Sequence, residues 1–278
     1  MNYVTFNNGV KIPQLGLGVF LTVPGEETVD SVKYALEIGY RHIDTAQVYR
    51  NEESVGQGII NSGVKREDIF VTTKVWNDVQ TDGSVTDSID ESLRKLQLDY
   101  VDLILVHWPV KDKFIDTWLE LEKLYGDGKG KIRAIGVSNF SEKHLSELKK
   151  FWSVVPVMNQ YEMHPELNQK PLRDFCTSLG IVNQSYSTLG GANHVQRMLQ
   201  NPILTKIAEK YGKTAAQVIL RWNIELGVVA IPKSAKPERI KSNLEIFDFA
   251  LTASEIEEIN SINLNKRHAS DPDEAFPL

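Results

Sequence analysis

Eight short β-branched runs alternate with stretches of helical period, which points to an α/β chain and, at 278 residues, to a (β/α)8 TIM barrel. About 250 residues is usual for such a barrel, and no Pro/Ser-rich linker or low-complexity tract divides the chain. Residues 1–278 therefore read as one domain. An Asn7-Asn8-Gly9 turn between Val4-Thr5-Phe6 and Val10-Lys11-Ile12 predicts an N-terminal β-hairpin, since Asn-Gly tolerates positive φ, and that hairpin is placed at the barrel bottom.

The strands are expected at residues 14–17, 41–44, 69–73, 101–106, 132–137, 157–159, 181–184 and 228–231. Amphipathic stretches with apolar residues three and four apart fall between them, at 28–38, 84–96, 114–125, 141–150 and 214–226. Ser141 stands three residues before His144, and Thr214 three before Gln217, as helix caps, the second as a capping box. Beyond Asn263 helical period stops; the tail is either a frayed end or a loop folded back over the site.

Composition narrows the function classes. With 31 basic and 37 acidic residues the formal charge is -6, which disfavours nucleic acid. No signal peptide or apolar run of spanning length is present, so a cytoplasmic location away from membranes is expected, and no apolar stripe argues against a monomer. The single Cys176 reads as packing, and the Asn-x-Ser triplets at Asn139 and Asn183 as chance. No metal-ligand spacing is found; His42, His144, His164, His194 and His268 read as hydrogen-bonded or surface residues.

A barrel builds its site from the carboxyl ends of its strands, so the polar residues found there carry the functional signal. The second strand ends in Asp44, the third in Lys74 and the fourth in His107, with Tyr49 five residues beyond Asp44. The later strands end in Ser138-Asn139, Asn159-Gln160, Tyr186 and Lys233-Ser234. An ammonium beside a phenol lowers its pKa, while a carboxylate keeps the lysine charged. Tyr49 is then a general acid, Lys74 its tuner, Asp44 the partner of Lys74, and neutral His107 a donor that orients a carbonyl oxygen. The set holds no hydride, so a redox role requires a cofactor. Taken singly, Asp44 and Lys74 could be a structural ion pair, His107 a core histidine and Tyr49 a surface loop residue; clustering on one rim favours function.

Six segments carry a family resemblance: Gly39-Tyr40-Arg41-His42-Ile43-Asp44-Thr45-Ala46, Tyr49 with Asn51-Glu52, Thr73-Lys74-Val75-Trp76, His107-Trp108-Pro109, Gly136-Val137-Ser138-Asn139-Phe140 and Ile231-Pro232-Lys233-Ser234. In order and spacing the chain resembles the aldo-keto reductase superfamily. Within it the chain is similar to the compact microbial branch of 2,5-diketo-D-gluconate reductases and prostaglandin F synthase-like enzymes. The resemblance implies the barrel and a tetrad of Asp44, Tyr49, Lys74 and His107, with NAD(P)H bound before substrate. It also implies Ser138, Asn139 and Gln160 on the nicotinamide carboxamide, Tyr186 stacked on its ring, and Leu189-Gly190 and Lys233-Ser234 along the adenosine end. Arg239 and Asn243 would lie near the 2′-phosphate and adenine. Lys233 and Arg239 flank Pro237, a good first residue of a helix, and cations at a helix start suit a dianionic phosphate, which favours NADPH over NADH.

Three departures qualify the transfer. Ser242 replaces a glutamate usual near the adenine amine, Thr188 removes a proline from the loop after Tyr186, and the connection from Trp108 to Trp118 is short, which leaves the pocket open. Phe20, Val48, Trp76, Trp108 and Phe276 are expected to wall the substrate space. The reading is thus an NADPH-dependent carbonyl reductase acting on aldehydes and ketones, with α-keto esters, dicarbonyls, quinones and keto sugars as candidates. The alternatives are a cofactor-binding regulatory protein on the same fold and a barrel enzyme that forms a Schiff base at Lys74.

Overall fold

A computed structural model describes residues 2–278. At its start β1 (Tyr3–Thr5) and β2 (Lys11–Pro13) pair antiparallel about the Asn7-Asn8-Gly9 turn, where Gly9 takes φ 85°. The barrel strands follow as β3 (Leu17–Gly18), β4 (His42–Asp44), β5 (Phe70–Val75), β6 (Leu103–Val106), β7 (Ile135–Ser138), β8 (Met158–Glu162), β9 (Val182–Tyr186) and β10 (Val229–Ala230), all parallel and paired in chain order. The ring closes between first and last: Ala230 N donates to Gln14 O, and Gly16 N to Ala230 O, each at 2.9 Å.

The helices are α1 (Glu26–Glu37), α2 (Glu52–Ser62), α3 (Asn77–Asp82), α4 (Val85–Leu96), α5 (Phe114–Tyr125), α6 (Glu142–Leu148), α7 (Lys170–Ser178), α8 (Val195–Leu199), α9 (Pro202–Tyr211), α10 (Ala215–Glu225), α11 (Pro237–Leu244), α12 (Ala253–Asn260) and α13 (Pro272–Ala275). Ser141 and Thr214 cap α6 and α10 in full capping boxes, so His144 does what a glutamate would ordinarily do.

Several strand bounds differ from expectation. The seventh strand runs to Tyr186 and the sixth to Glu162, because pairing continues through polar residues at the mouth where apolar period gives no signal. The first and last strands shrink to two residues each, their outer parts held by single bridges at Leu15 with Ala230 and Gly18 with Lys233. Gly16-Leu17-Gly18 is a packing device. A Cβ on Gly16 would lie 2.4 Å from His42 Nδ1, and one on Gly18 would lie 2.8 Å from Ile231 O.

Two apolar clusters form the core. The larger lies between strands and helices. The smaller gathers Phe6 and Ile12 of the hairpin with Phe70, Leu103, Leu105 and Met158. Side chains alternate along a strand, so same-face residues climb from this plug toward the mouth. They read Phe70, Thr72, Lys74 on β5, Met158, Gln160, Glu162 on β8, and Val182, Gln184, Tyr186 on β9. An apolar floor under a polar upper layer is thereby built into the strand register. The hairpin is pinned beneath by Asn7 Nδ2 to Pro156 O at 3.2 Å and Asn8 Nδ2 to Arg133 O at 3.1 Å.

Candidate functional site

Asp44 ends β4, Lys74 lies one residue from the end of β5, and His107 follows β6 with its N–H on Val75 O. A 3₁₀ turn at Gln47–Tyr49 lifts Tyr49 to the rim. Gln47 anchors that turn, its Oε1 accepting from Trp76 N at 2.9 Å and its Nε2 donating to Ser92 Oγ at 3.1 Å. The four expected side chains meet. Lys74 Nζ, 0% exposed, donates to Asp44 Oδ1 at 2.6 Å, to Thr45 O at 2.8 Å and to Tyr49 OH at 3.3 Å. The Tyr49 ring stands edge-on to His107, 5.8 Å between centroids.

Burial acts to lower the Lys74 ammonium, but Asp44 and Tyr49 beside it more than offset this and hold its pKa above the ordinary value. A charged Lys74 is no nucleophile, which argues against Schiff-base chemistry. His107 is pushed well below the usual imidazole range by burial and by Lys74, so it is neutral. Its Nδ1 is sealed without a partner, so a proton on Nε2 is the one that can meet a ligand.

The expected acidification of Tyr49 is corrected. Burial raises its pKa above the ordinary phenol value, with Lys74 pulling against it. Desolvation of a phenolate outweighs one ammonium at 3.3 Å. The phenol is therefore firmly protonated, the form a proton donor needs at rest. Lys74 limits the cost of losing that proton to a bound oxyanion.

Four expected cofactor residues converge beside this chain of groups. Gln160 Nε2 donates to Asp44 Oδ2 at 2.7 Å, Asn139 Nδ2 donates to His107 O at 3.0 Å and to Ser138 Oγ at 3.2 Å, and Tyr186 OH donates to Asn139 Oδ1 at 2.7 Å. The other six lie further round the mouth. Leu189 is half-buried against the core, and Gly190, at φ 90°, packs on Met198. Ser234 Oγ accepts from Lys236 N at 3.1 Å in the turn that starts α11, and Asn243 is buried on that helix. Lys233, Lys236 and Arg239 are exposed there without an ion pair among the described residues. An uncapped helix start, a Pro at its first position and three free cations fit a phosphate monoester.

The expected wall residues pack against the tetrad and the C-terminal tail. Phe20, 53% exposed, packs tilted on Tyr49 at 4.9 Å, Trp76 stands edge-on to His107 at 5.0 Å, and Trp108 packs tilted on Phe276 at 5.6 Å, each between ring centroids. Val48 is half-buried in the Tyr49 turn. Phe276 reaches the rim because the tail folds back. Glu162 accepts from His268 N and Ala269 N at 2.8 and 3.0 Å, Ser141 Oγ donates to Asp273 Oδ1 at 2.6 Å, and His144 Nε2 donates to Phe276 O at 2.8 Å.

The remaining expectations also find places. Cys176 is buried and its thiol pushed up to about 12 by burial, so it is inert. Asn139 and Asn183 are buried and bonded within the chain.

Sequence reasoning quoted Asn51 within a motif but gave it no role. Its Oδ1 accepts from Thr45 Oγ1 at 2.8 Å and its Nδ2 donates to Val19 O at 2.9 Å, which ties the Phe20 loop to the residue whose carbonyl holds Lys74. Sequence reasoning passed over Lys236, a third cation beside Pro237, and Gln184, which shares a strand face with Tyr186 two residues on. Strand alternation is the signal that could have found Gln184.

Known proteins are similar to this chain in sequence and fold. The aldo/keto reductase family matches residues 14–264. A glyoxal reductase of Bacillus subtilis (strain 168) is 51% identical over 271 residues, covering 98% of this chain and 96% of that protein. A morphine 6-dehydrogenase of Pseudomonas putida is 48% identical over 280 residues, covering 97% of this chain and 94% of the other. The solved structure of a Bombyx mori aldo-keto reductase in complex with NADP superposes with a TM-score of 0.91 at 38% identity, covering 99% of this chain and 97% of that one. With its closed parallel barrel and its polar groups gathered at the strand ends, the chain belongs to the aldo/keto reductase family and is an oxidoreductase of carbonyl compounds.

Proposed function

We propose that the protein is an NADPH-dependent carbonyl reductase that converts aldehydes and ketones to alcohols, with Tyr49 as proton donor. One observation carries the reading: a buried ammonium, Lys74, bonded at once to Asp44 Oδ1, Thr45 O and Tyr49 OH, beside a neutral imidazole. A substrate carbonyl oxygen set between Tyr49 OH and His107 Nε2 receives a hydrogen bond from each. As the oxygen gains charge, the Tyr49 proton passes to it and the phenolate left behind is held by Lys74. Asp44 keeps Lys74 charged and fixed, and Phe20, Trp76 and Trp108 limit water at the reacting carbon. Ser138, Asn139, Gln160 and Tyr186 would hold a reduced nicotinamide, which when bound would supply the two electrons and the hydrogen for carbon.

NADPH is favoured over NADH because Lys233, Lys236 and Arg239 stand at the start of α11 without an ion pair among the described residues, and a 2′-phosphate is dianionic. The Bombyx mori relative in complex with NADP supports this choice. Similarity to a glyoxal reductase supports small dicarbonyls among the substrates. The test is NADPH oxidation across aldehydes, dicarbonyls, α-keto esters, keto sugars and quinones, repeated with NADH. Turnover of at least one class with NADPH, and weaker turnover with NADH, is expected. Tight NADPH binding without turnover on any class would instead support a cofactor-binding regulatory protein.

A further inference from the structure

We infer that Gln184 is a positioning residue that fixes the amide of Gln160 so that its oxygen faces the cleft as an acceptor for the nicotinamide carboxamide. This rests on the cofactor reading above. Gln160 and Gln184 are register partners on β8 and β9, and Gln184 is 0% exposed. Gln160 Nε2 donates at 2.7 Å to Asp44 Oδ2 and, with its other hydrogen, at 2.7 Å to Gln184 Oε1.

The direction of this chain is set by charge. Asp44 lies 2.6 Å from the Lys74 ammonium and is therefore a carboxylate that only accepts. Gln160 must turn its nitrogen toward Asp44, and Gln184 must then turn its oxygen toward Gln160. Two consequences appear in the structure. Among the described residues Gln160 Oε1 has no partner yet keeps access to solvent, whereas Gln184 Nε2 is sealed with no partner.

A buried donor left unbonded is unfavourable, and an apolar side chain of similar shape would avoid it. Gln184 accepts that loss in order to present Oε1. Without Oε1, Gln160 keeps a single bond to Asp44 and its amide can turn about that bond, so the acceptor is no longer aimed.

Two measurements test this, one of them free of cofactor. In nitrogen-proton spectra of the unliganded protein, the Gln160 side-chain amide, assigned by its loss in Gln160→Leu, should be protected from exchange. Gln184→Met should speed that exchange by about tenfold or more, and Gln184→Glu, which keeps an oxygen acceptor, should restore it. By fluorescence titration, Gln184→Met should weaken NADPH binding about fivefold, the size of one neutral hydrogen bond. Gln184→Glu should recover most of that affinity, and Gln184→Met should cost nothing more in a Gln160→Leu background. Unchanged protection, unchanged affinity or additive losses in that background would overturn the inference. If Gln184→Met does not fold, Gln184→Leu and the Gln184→Glu arm decide by the same readouts. A parent protein that binds no NADPH would sink the cofactor reading, while amide exchange still decides whether Gln184 holds Gln160.

Discussion

Removing one oxygen atom from Tyr49 separates proton transfer from everything else the mouth does. Tyr49→Phe keeps the ring that packs against Phe20 and stands edge-on to His107, and it leaves Lys74 bonded to Asp44 and Thr45. The kcat for carbonyl reduction should fall by about 10²-fold or more, the span of general acid catalysis, with NADPH affinity within about twofold of the parent. Steady-state rates beside a fluorescence titration check this, and an unchanged kcat removes Tyr49 from the proton path. Lys74→Met should behave differently, because it strands a carboxylate that is 2% exposed. Loss of one partner of a buried pair costs about 3–5 kcal/mol, so urea unfolding should show that loss, and adding Asp44→Asn should recover much of it. A surface-like loss below about 1 kcal/mol would mean that Asp44 has ready access to water.

Among the elements, the C-terminal segment most directly links fold to substrate. Its return path hangs on Glu162 at the end of β8, which accepts from two backbone N–H groups of the tail and from His164 Nε2 at 3.0 Å. Glu162→Gln puts an amide hydrogen against at least one of those donors. The tail should loosen, with cleavage in 264–278 by a nonspecific protease faster by about tenfold and KM for bulky carbonyls raised while kcat holds. Equal cleavage rates would show that α13 and Asp273 suffice to dock the tail. The sequence left the tail open between a frayed end and a loop folded back over the site, since the anchoring groups lie about a hundred positions from what they hold. Asp44, Lys74 and His107 were legible because each stands at the end of a recognisable apolar run, and Tyr49 because it follows the first of them by five residues. Residues 52–62 hide their helix for another reason. Gly56 and Gly58 weaken a helical pattern, yet a Cβ at either would meet Leu96 O at 2.2 Å or Val29 O at 2.8 Å, so close packing of α2 on α4 and α1 demands them. Gln184 stayed unseen because its role depends on which neighbour accepts and which donates.

For the molecule as a whole, stability in mild acid turns on imidazoles that the fold keeps neutral. His42 sits 0% exposed beneath the barrel, edge-on to Phe70 and against Gly16, and burial holds its pKa at about 3. His107 is likewise depressed. An unfolded histidine takes up its proton near pH 6.5, so below that value the unfolded state binds protons the native state refuses. The histidine contribution is therefore complete above pH 6.5 and is lost as pH falls from there toward the folded value. Glu52, raised by burial, acts in the opposite sense, because the native state takes its proton first. A difference between two proteins cancels that opposition. Unfolding free energies at pH 7 and 5.5, for the parent and for His42→Gln, should show the parent losing about 1.2 kcal/mol more than the variant over that interval. Each protein serves as its own reference at pH 7, so the cost of the substitution itself drops out. Parallel losses would mean that His42 charges inside the fold, and with that the apolar seal made by Phe6, Ile12 and Phe70 under the catalytic layer would have to admit water.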